Sequence, residues 1–125
     1  MGTFTVRATL SHPEHPEARV ILDLLVDTGA TWSVIPPEVA RVLGVEPFET
    51  RPVRTADGRR LDLPLAQAWI TVEGRSLITP CLIGSPEVPA LLGAVTLEGL
   101  GLAADPVQKI LVPVTGLLLC QTSAA

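Results

Sequence analysis

Aromatic residues are scarce in this chain: its 125 residues include two Phe, two Trp and no Tyr. Because 47% of the residues are nevertheless apolar, Val, Leu and Ile must fill the interior, which suits a β-rich fold. Twelve Pro and ten Gly are spread along the chain and argue against long helices. The length is that of one domain with a real core. We therefore predict a single domain over residues 1–125, with its core at about 3–114 and a tail at 115–125.

Positive charge is also scarce, and long apolar runs are missing. The net charge is −4 and the longest basic run is Arg59-Arg60, so nucleic-acid binding lacks the basic surface that it needs. No apolar stretch could span a bilayer, and the N-terminus lacks the basic and apolar blocks of a signal peptide. We expect neither nucleic acid nor a membrane as a partner, and the cytoplasm as the location.

Metal-binding and redox motifs are not found either. Cys81 and Cys120 have neither metal-site nor redox spacing, and we expect packed free thiols rather than a disulfide. His12 and His15 are three residues apart, but they lie in a Pro-flanked loop with no third ligand, which favours a solvated loop. The sequence predicts no metal and no cofactor.

Short alternating segments predict the strands of the first half. Thr3–Leu10 alternates between apolar and polar residues, and Ala18–Val26 becomes apolar on both faces towards its end. Pro37–Gly44 has Pro at its start and Gly at its end, which is typical of a short helix. Strands at Arg51–Thr55 and Arg60–Val72 are joined by an Asp-Gly hairpin turn.

The second half continues this pattern. A turn at Glu73–Arg75 precedes a strand at Ser76–Ile83. A short helix is predicted at Val95–Leu102, and a last strand near Lys109–Val114.

Asp27 is the most informative residue. It follows the apolar run Val20–Val26 where a buried strand gives way to a Gly turn, so we expect a partly shielded carboxylate with an altered proton affinity. The hydroxyl of Thr28 and the backbone of Gly29 can fix its orientation by hydrogen bonds. A second apolar element, Ala90–Gly93, follows about sixty residues later. Alternatively, Asp27 is a structural aspartate that caps the turn.

These residues resemble the single-lobe, retropepsin-like aspartic proteases. Leu25–Ala30 matches their first motif, apolar-apolar-Asp-Thr/Ser-Gly-Ala. Leu91, Leu92 and Gly93 match the second, and Asp105–Val112 is similar to the last strand of the bacterial members. The resemblance implies an all-β, closed, barrel-like lobe with one or two short helices. It also implies an aspartic endopeptidase that acts on polypeptides without a cofactor, with catalytic Asp27 supported by Thr28, Gly29 and Ala30.

One carboxylate is not enough for the chemistry that this resemblance implies. An ionised acid must take a proton from water while a second acid donates one, and two close carboxyl groups share a single proton, for which aspartic proteases are the standard example. The chain has only one Asp-Thr-Gly, so a homodimer must supply the second Asp27. Retroviral members carry an acid and an Arg at the positions of Thr31 and Ala94, so both charges are absent here.

The hairpin turn at Ala56–Arg59 corresponds in the family to the flap that closes over substrate. The candidate substrate contacts are Thr31, Trp32, Ala56, Asp57, Gly58 and Arg59. Asp57 is favoured as a turn former, and Arg59 and Arg60 as charges that protect an exposed hairpin. Trp32 either lines a pocket or packs in the core. The alternative function is a catalytically silent binding or assembly module that keeps the motif for structure.

Overall fold

The computed structural model describes residues 3–118, which form a mostly β lobe with two short helices, as predicted. The strands are β1 Thr5–Ser11, β2 Arg19–Val26, β3 Ser33–Ile35, β4 Glu49–Arg54, β5 Arg60–Val72, β6 Arg75–Ile83, β7 Leu91–Leu92, β8 Leu102–Asp105 and β9 Ile110–Pro113. The helices are α1 Pro37–Leu43 and α2 Ala94–Leu100.

Seven strands form one sheet in the order β1-β2-β7-β3-β6-β5-β4. The far end of β5 also pairs with β1, with Leu10 opposite Ile70, so the sheet closes on itself. β8 and β9 form a separate antiparallel pair. The closed sheet agrees with the barrel-like lobe that the sequence predicted.

The core inside this sheet is aliphatic. Alternate residues of β1 and β2 point inward, and Leu10 and Leu24 are fully buried there. Ile35, Ile70 and Leu92 join them from β3, β5 and β7. Branched aliphatic side chains therefore replace aromatic residues in the interior, as the composition indicated.

Local signals set most element ends. α1 begins at Pro37 and ends before Gly44, whose φ of 75° is readily adopted only by glycine. The β5–β6 turn at Glu73 and Gly74 also has positive φ, at 53° and 76°. Both elements lie where the sequence predicts them.

The end of the second helix was predicted wrongly. α2 stops at Leu100, because Gly101 adopts a φ of 70° and its N–H bonds back to the carbonyl of Glu98. Leu102 then starts β8, a strand that sequence reasoning missed. Asp105 ends that strand, and its carboxylate accepts the N–H of Val107 in the following turn. The segment Asp105–Val112, expected to be similar to a single last strand, is therefore a turn followed by β9, and the strand predicted near Lys109–Val114 is confirmed.

Cys81 is buried and free on β6, as expected. Burial raises the pKa of its thiol to about 12, because the charged thiolate is not solvated there. Cys120 lies outside the described residues. Neither helix within residues 3–118 is long and apolar enough to cross a membrane.

Candidate active site

Asp27 lies at the point where β2 leaves the sheet. β7 runs parallel to β2, and the backbone N–H of Asp27 donates to the carbonyl of Leu92 at 3.0 Å. The N–H of Leu25 donates in the same way to Ala90 at 2.9 Å. Asp27 is half-buried, at the edge of the core. The two motifs, about sixty residues apart in the sequence, are therefore adjacent strands in the structure.

The carboxylate of Asp27 is oriented by its own turn. Its Oδ1 accepts the N–H of Gly29 at 3.0 Å, and its carbonyl accepts the N–H of Ala30 at 3.2 Å. Thr28 is exposed beside it. The rotation of the acid is therefore restricted by the backbone of the motif itself.

The start of α2 holds the next part of the loop. The N–H groups of Ala94 and Val95 donate to the carbonyls of Ala30 and Thr31 at 2.8 and 3.0 Å. The first N–H groups of a helix have no partner within the helix, and here the loop supplies their acceptors. Helix and loop thus satisfy each other's backbone groups.

Gly93 makes this close approach possible. A Cβ atom on Gly93 would lie 2.5 Å from the backbone carbon and oxygen of Trp32, which is too close for any side chain. The second motif therefore requires glycine because two backbones pack directly on each other.

A groove of about 950 Å³ opens between the Asp27 loop and the β4–β5 hairpin. Of the residues singled out from the sequence, the ones that line it are Leu25, Asp27, Gly29, Ala30, Thr31, Trp32, Ala56, Asp57, Arg59 and Leu91. Thr28, Gly58, Leu92 and Gly93 are not part of its lining. Residues of the β4–β5 hairpin and the acid thus face one shared space.

The floor of the groove is apolar. Val34, Leu65 and Leu82 form a small buried cluster apart from the main core, and partly buried apolar side chains pack around it. Trp32 is one of these and also lines the groove, so it packs against the cluster and faces the groove at the same time. The guanidinium of Arg51 on β4 lies 5.6 Å from the centre of its ring, within cation–π distance.

The tip of the hairpin is held together by Asp57. Its carboxylate accepts the hydroxyl of Thr55 and the Nε–H of Arg59, the latter at 3.2 Å. The Thr55 hydrogen bond, followed by the backbone N–H of Arg59, holds the pKa of Asp57 below its ordinary value of 3.8. Arg54 donates to the carbonyl of Gly58, whose φ is 87°. Asp57 and Arg59 are thus engaged within the turn, which agrees with a turn former.

Sequence reasoning missed a set of buried hydroxyl groups behind the site. Ser33, Thr79 and Thr96 are at most 1% exposed. Each of them has apolar or Pro residues as its neighbours in the sequence. A single hydroxyl residue in an apolar segment indicates a buried and hydrogen-bonded side chain, and this pattern could have identified them. Their partners lie on other elements, so their pairing was not readable from the sequence.

Metal ligands do not gather near the acid. Within residues 3–118, no three His, Cys, Asp or Glu side chains are grouped so that they could hold a metal ion. The rings of His12 and His15 lie in the loop before β2, with their centres 4.7 Å apart and their planes inclined at 48°.

Comparison with known proteins gives one family. Residues 19–98 match the family model described as "gag-polyprotein putative aspartyl protease", and this match includes both motifs and the hairpin. No curated protein matches the chain. Because the matched part is well over half of the sequence, the chain belongs to this retropepsin-like aspartyl protease family.

Proposed function

We propose that this protein is an aspartic endopeptidase whose active site forms when two copies pair and bring their Asp27 side chains together. The observation that carries this proposal is the placement of Asp27. Its half-buried carboxylate is fixed by the N–H of Gly29, its backbone by the carbonyl of Leu92, and it lines the groove of about 950 Å³. Family membership supports the same chemistry.

The two carboxyl groups divide the work. At close range one is ionised and the other is protonated, because two charges cannot be accommodated together. The ionised Asp27 takes a proton from water, and the oxygen of that water attacks the peptide carbonyl carbon. The protonated Asp27 gives its proton to the carbonyl oxygen. The Asp27 that took the proton from water then gives it to the leaving nitrogen, and the other Asp27 takes a proton from one hydroxyl of the tetrahedral diol. The C–N bond breaks to give a carboxylic acid and an amine, and the pair again holds one proton.

The groove favours a polypeptide substrate. Its floor is apolar, with Val34 and Leu82 at the base and Trp32 at the side, so it suits the apolar side chains of an extended peptide. The hairpin tip closes one side with a turn whose charges are paired internally. The apolar lining is therefore the part of the groove that we expect to hold substrate side chains.

The dimer differs in one respect from the retroviral pattern. Thr31 and Ala94 replace an acid and an Arg, and in this structure their backbone groups serve the contact between the loop and α2. Since both charges are absent, neither is left without its partner. The two copies are held by other contacts.

The test is cleavage of an unfolded polypeptide by purified protein between about pH 4 and 6. Asp27→Asn is expected to lower the rate by at least about a hundredfold, because the amide is nearly isosteric but cannot act as a base. Asp23→Asn is the matched control, since Asp23 is exposed on β2 just before Asp27 and is paired with Arg7. Equal activity of the Asp27 variant would refute the proposal. A folded wild type that leaves the polypeptide intact would favour the binding-module alternative.

A further inference from the structure

Three buried hydroxyl groups form a continuous chain behind the candidate site. Ser33 lies on β3, Thr96 in the first turn of α2 and Thr79 on β6. The Ser33 Oγ and Thr96 Oγ1 atoms are 2.7 Å apart, and Thr96 Oγ1 and Thr79 Oγ1 are 3.1 Å apart. At its inner end, Ser33 Oγ accepts the backbone N–H of Gly93 at 3.0 Å. We call Ser33, Thr96 and Thr79 the hydroxyl chain.

The free energy of folding alone does not explain why these three buried residues carry hydroxyl groups. Burying a polar group is unfavourable unless it is hydrogen-bonded, and replacing both partners by apolar groups of the same shape is often nearly neutral. A fully bonded buried network instead specifies one geometry, since each hydroxyl has a partner only in that arrangement. We therefore expect the hydroxyl chain to fix the relative positions of the elements that carry it.

The position that it fixes is the start of α2. Ser33 holds the N–H of Gly93, and Thr96 is held three residues further along the same turn. On one side of Gly93, the carbonyl of Leu92 accepts the N–H of Asp27. On the other side, the N–H of Ala94 donates to the loop that follows Asp27. The helix start therefore contacts the Asp27 loop at both of its ends.

We propose that Ser33 and Thr96 are positioning residues for Asp27, which act through the start of α2 and do not touch substrate. The inference rests on the proposed function, in which two carboxylates from separate copies must meet across a two-fold axis. Any displacement of the loop is repeated in the second copy by symmetry. Catalytic groups must be held to within about 0.5 Å, so a small shift of α2 separates the pair.

The test compares Thr96→Val with Thr96→Ser. The Val variant keeps the shape of the side chain and removes the hydroxyl, whereas the Ser variant keeps the hydroxyl. The matched control is Thr71→Val, which breaks a hydroxyl pair of the same 2.7 Å length at the β5–β6 turn, away from the site. We expect Thr96→Val to lower kcat about tenfold or more with KM unchanged, Thr96→Ser to restore most of it, and Thr71→Val to match wild type.

A second measurement does not depend on activity. Thr96→Val is expected to speed hydrogen exchange of the Asp27, Ala94 and Val95 amides about tenfold, while Thr71→Val leaves them unchanged. If Thr96→Val does not fold, Ser33→Ala removes the acceptor of Gly93 N–H and is measured in its place.

Two results would overturn the inference: unchanged exchange at these three amides, or equal loss of kcat in the Ser and Val variants, which would indicate packing alone. An inactive wild type would refute the proposed function, and the exchange measurement would then decide the positioning role by itself.

Discussion

Gly93 illustrates how one residue can determine whether a site forms. Because a Cβ there would lie 2.5 Å from the Trp32 backbone, Gly93→Ala must push β7 away from the Asp27 loop. We expect a loss of about 1–3 kcal/mol in the free energy of unfolding, measured in urea, together with loss of cleavage. Gly116→Ala is the matched control, because a Cβ at exposed Gly116 meets nothing within 4 Å. Equal stability of the two variants would contradict the close approach.

Cys81 gives a second prediction at this scale. Burial raises its thiol pKa to about 12, so the reactive thiolate is nearly absent at pH 8. In a Cys120→Ser background, a thiol-specific reagent is therefore expected to leave the native protein unlabelled and to label it once per chain in urea. Rapid labelling of the native protein would show that β6 opens readily.

Some residues of the candidate site can be predicted from a short stretch of sequence, whereas others depend on partners that are distant in the sequence. Asp27 and Gly93 were found because each lies in a short motif that is readable within its own segment. Ser33 and Thr96 were not found, because their partnership joins positions 63 residues apart and depends on the pairing of β3. A sequence read alone shows a hydroxyl in an apolar run but not what it meets.

Secondary-structure elements also differ in whether their own sequence or a distant partner determines them. The turn at Asp57 and Gly58 was predicted because its geometry is set by four neighbouring residues. β8 was not predicted, because Leu102–Asp105 is a strand only by pairing with β9. The alanines in β8 carry no strand preference of their own, and the helix prediction ran on into it.

The hairpin turn gives a prediction for acid conditions. The pKa of Asp57 is lowered in the folded protein, so its ionised form stabilises the fold above the ordinary value of 3.8, and this contribution is lost as pH falls through the folded value. Wild type is expected to be more stable than Asp57→Asn at pH 5–7, with the gap narrowing below pH 3.8. Urea unfolding of both proteins across this range measures the gap. A gap that persists unchanged in strong acid would contradict the ionised turn.

At the scale of the whole molecule, the proposed dimer predicts interference between copies. A mixed dimer of wild type and Asp27→Asn has only one catalytic acid. With a ninefold excess of the variant and random exchange, wild-type activity should fall to about a tenth. Asp23→Asn, which keeps Asp27, should instead raise the total activity about tenfold when it is added in the same excess. Activity that survives the Asp27 variant would show that a single copy suffices, and sedimentation of the same samples over a dilution series would report the dimer directly.

Because β7 follows Asp27 late in the sequence, the candidate site is completed late during synthesis of the chain. During synthesis Asp27 leaves the ribosome 65 residues before Leu92, which at about 5–20 residues per second is a delay of about 3–13 s. Until then β7 does not lie beside Asp27 and α2 does not pack against its loop. A nascent chain therefore carries the acid but not the site, and even the finished chain must still meet a second copy. On the proposed mechanism, the chain stays inactive at least until β7 and α2 have been synthesised and a second copy has paired with it.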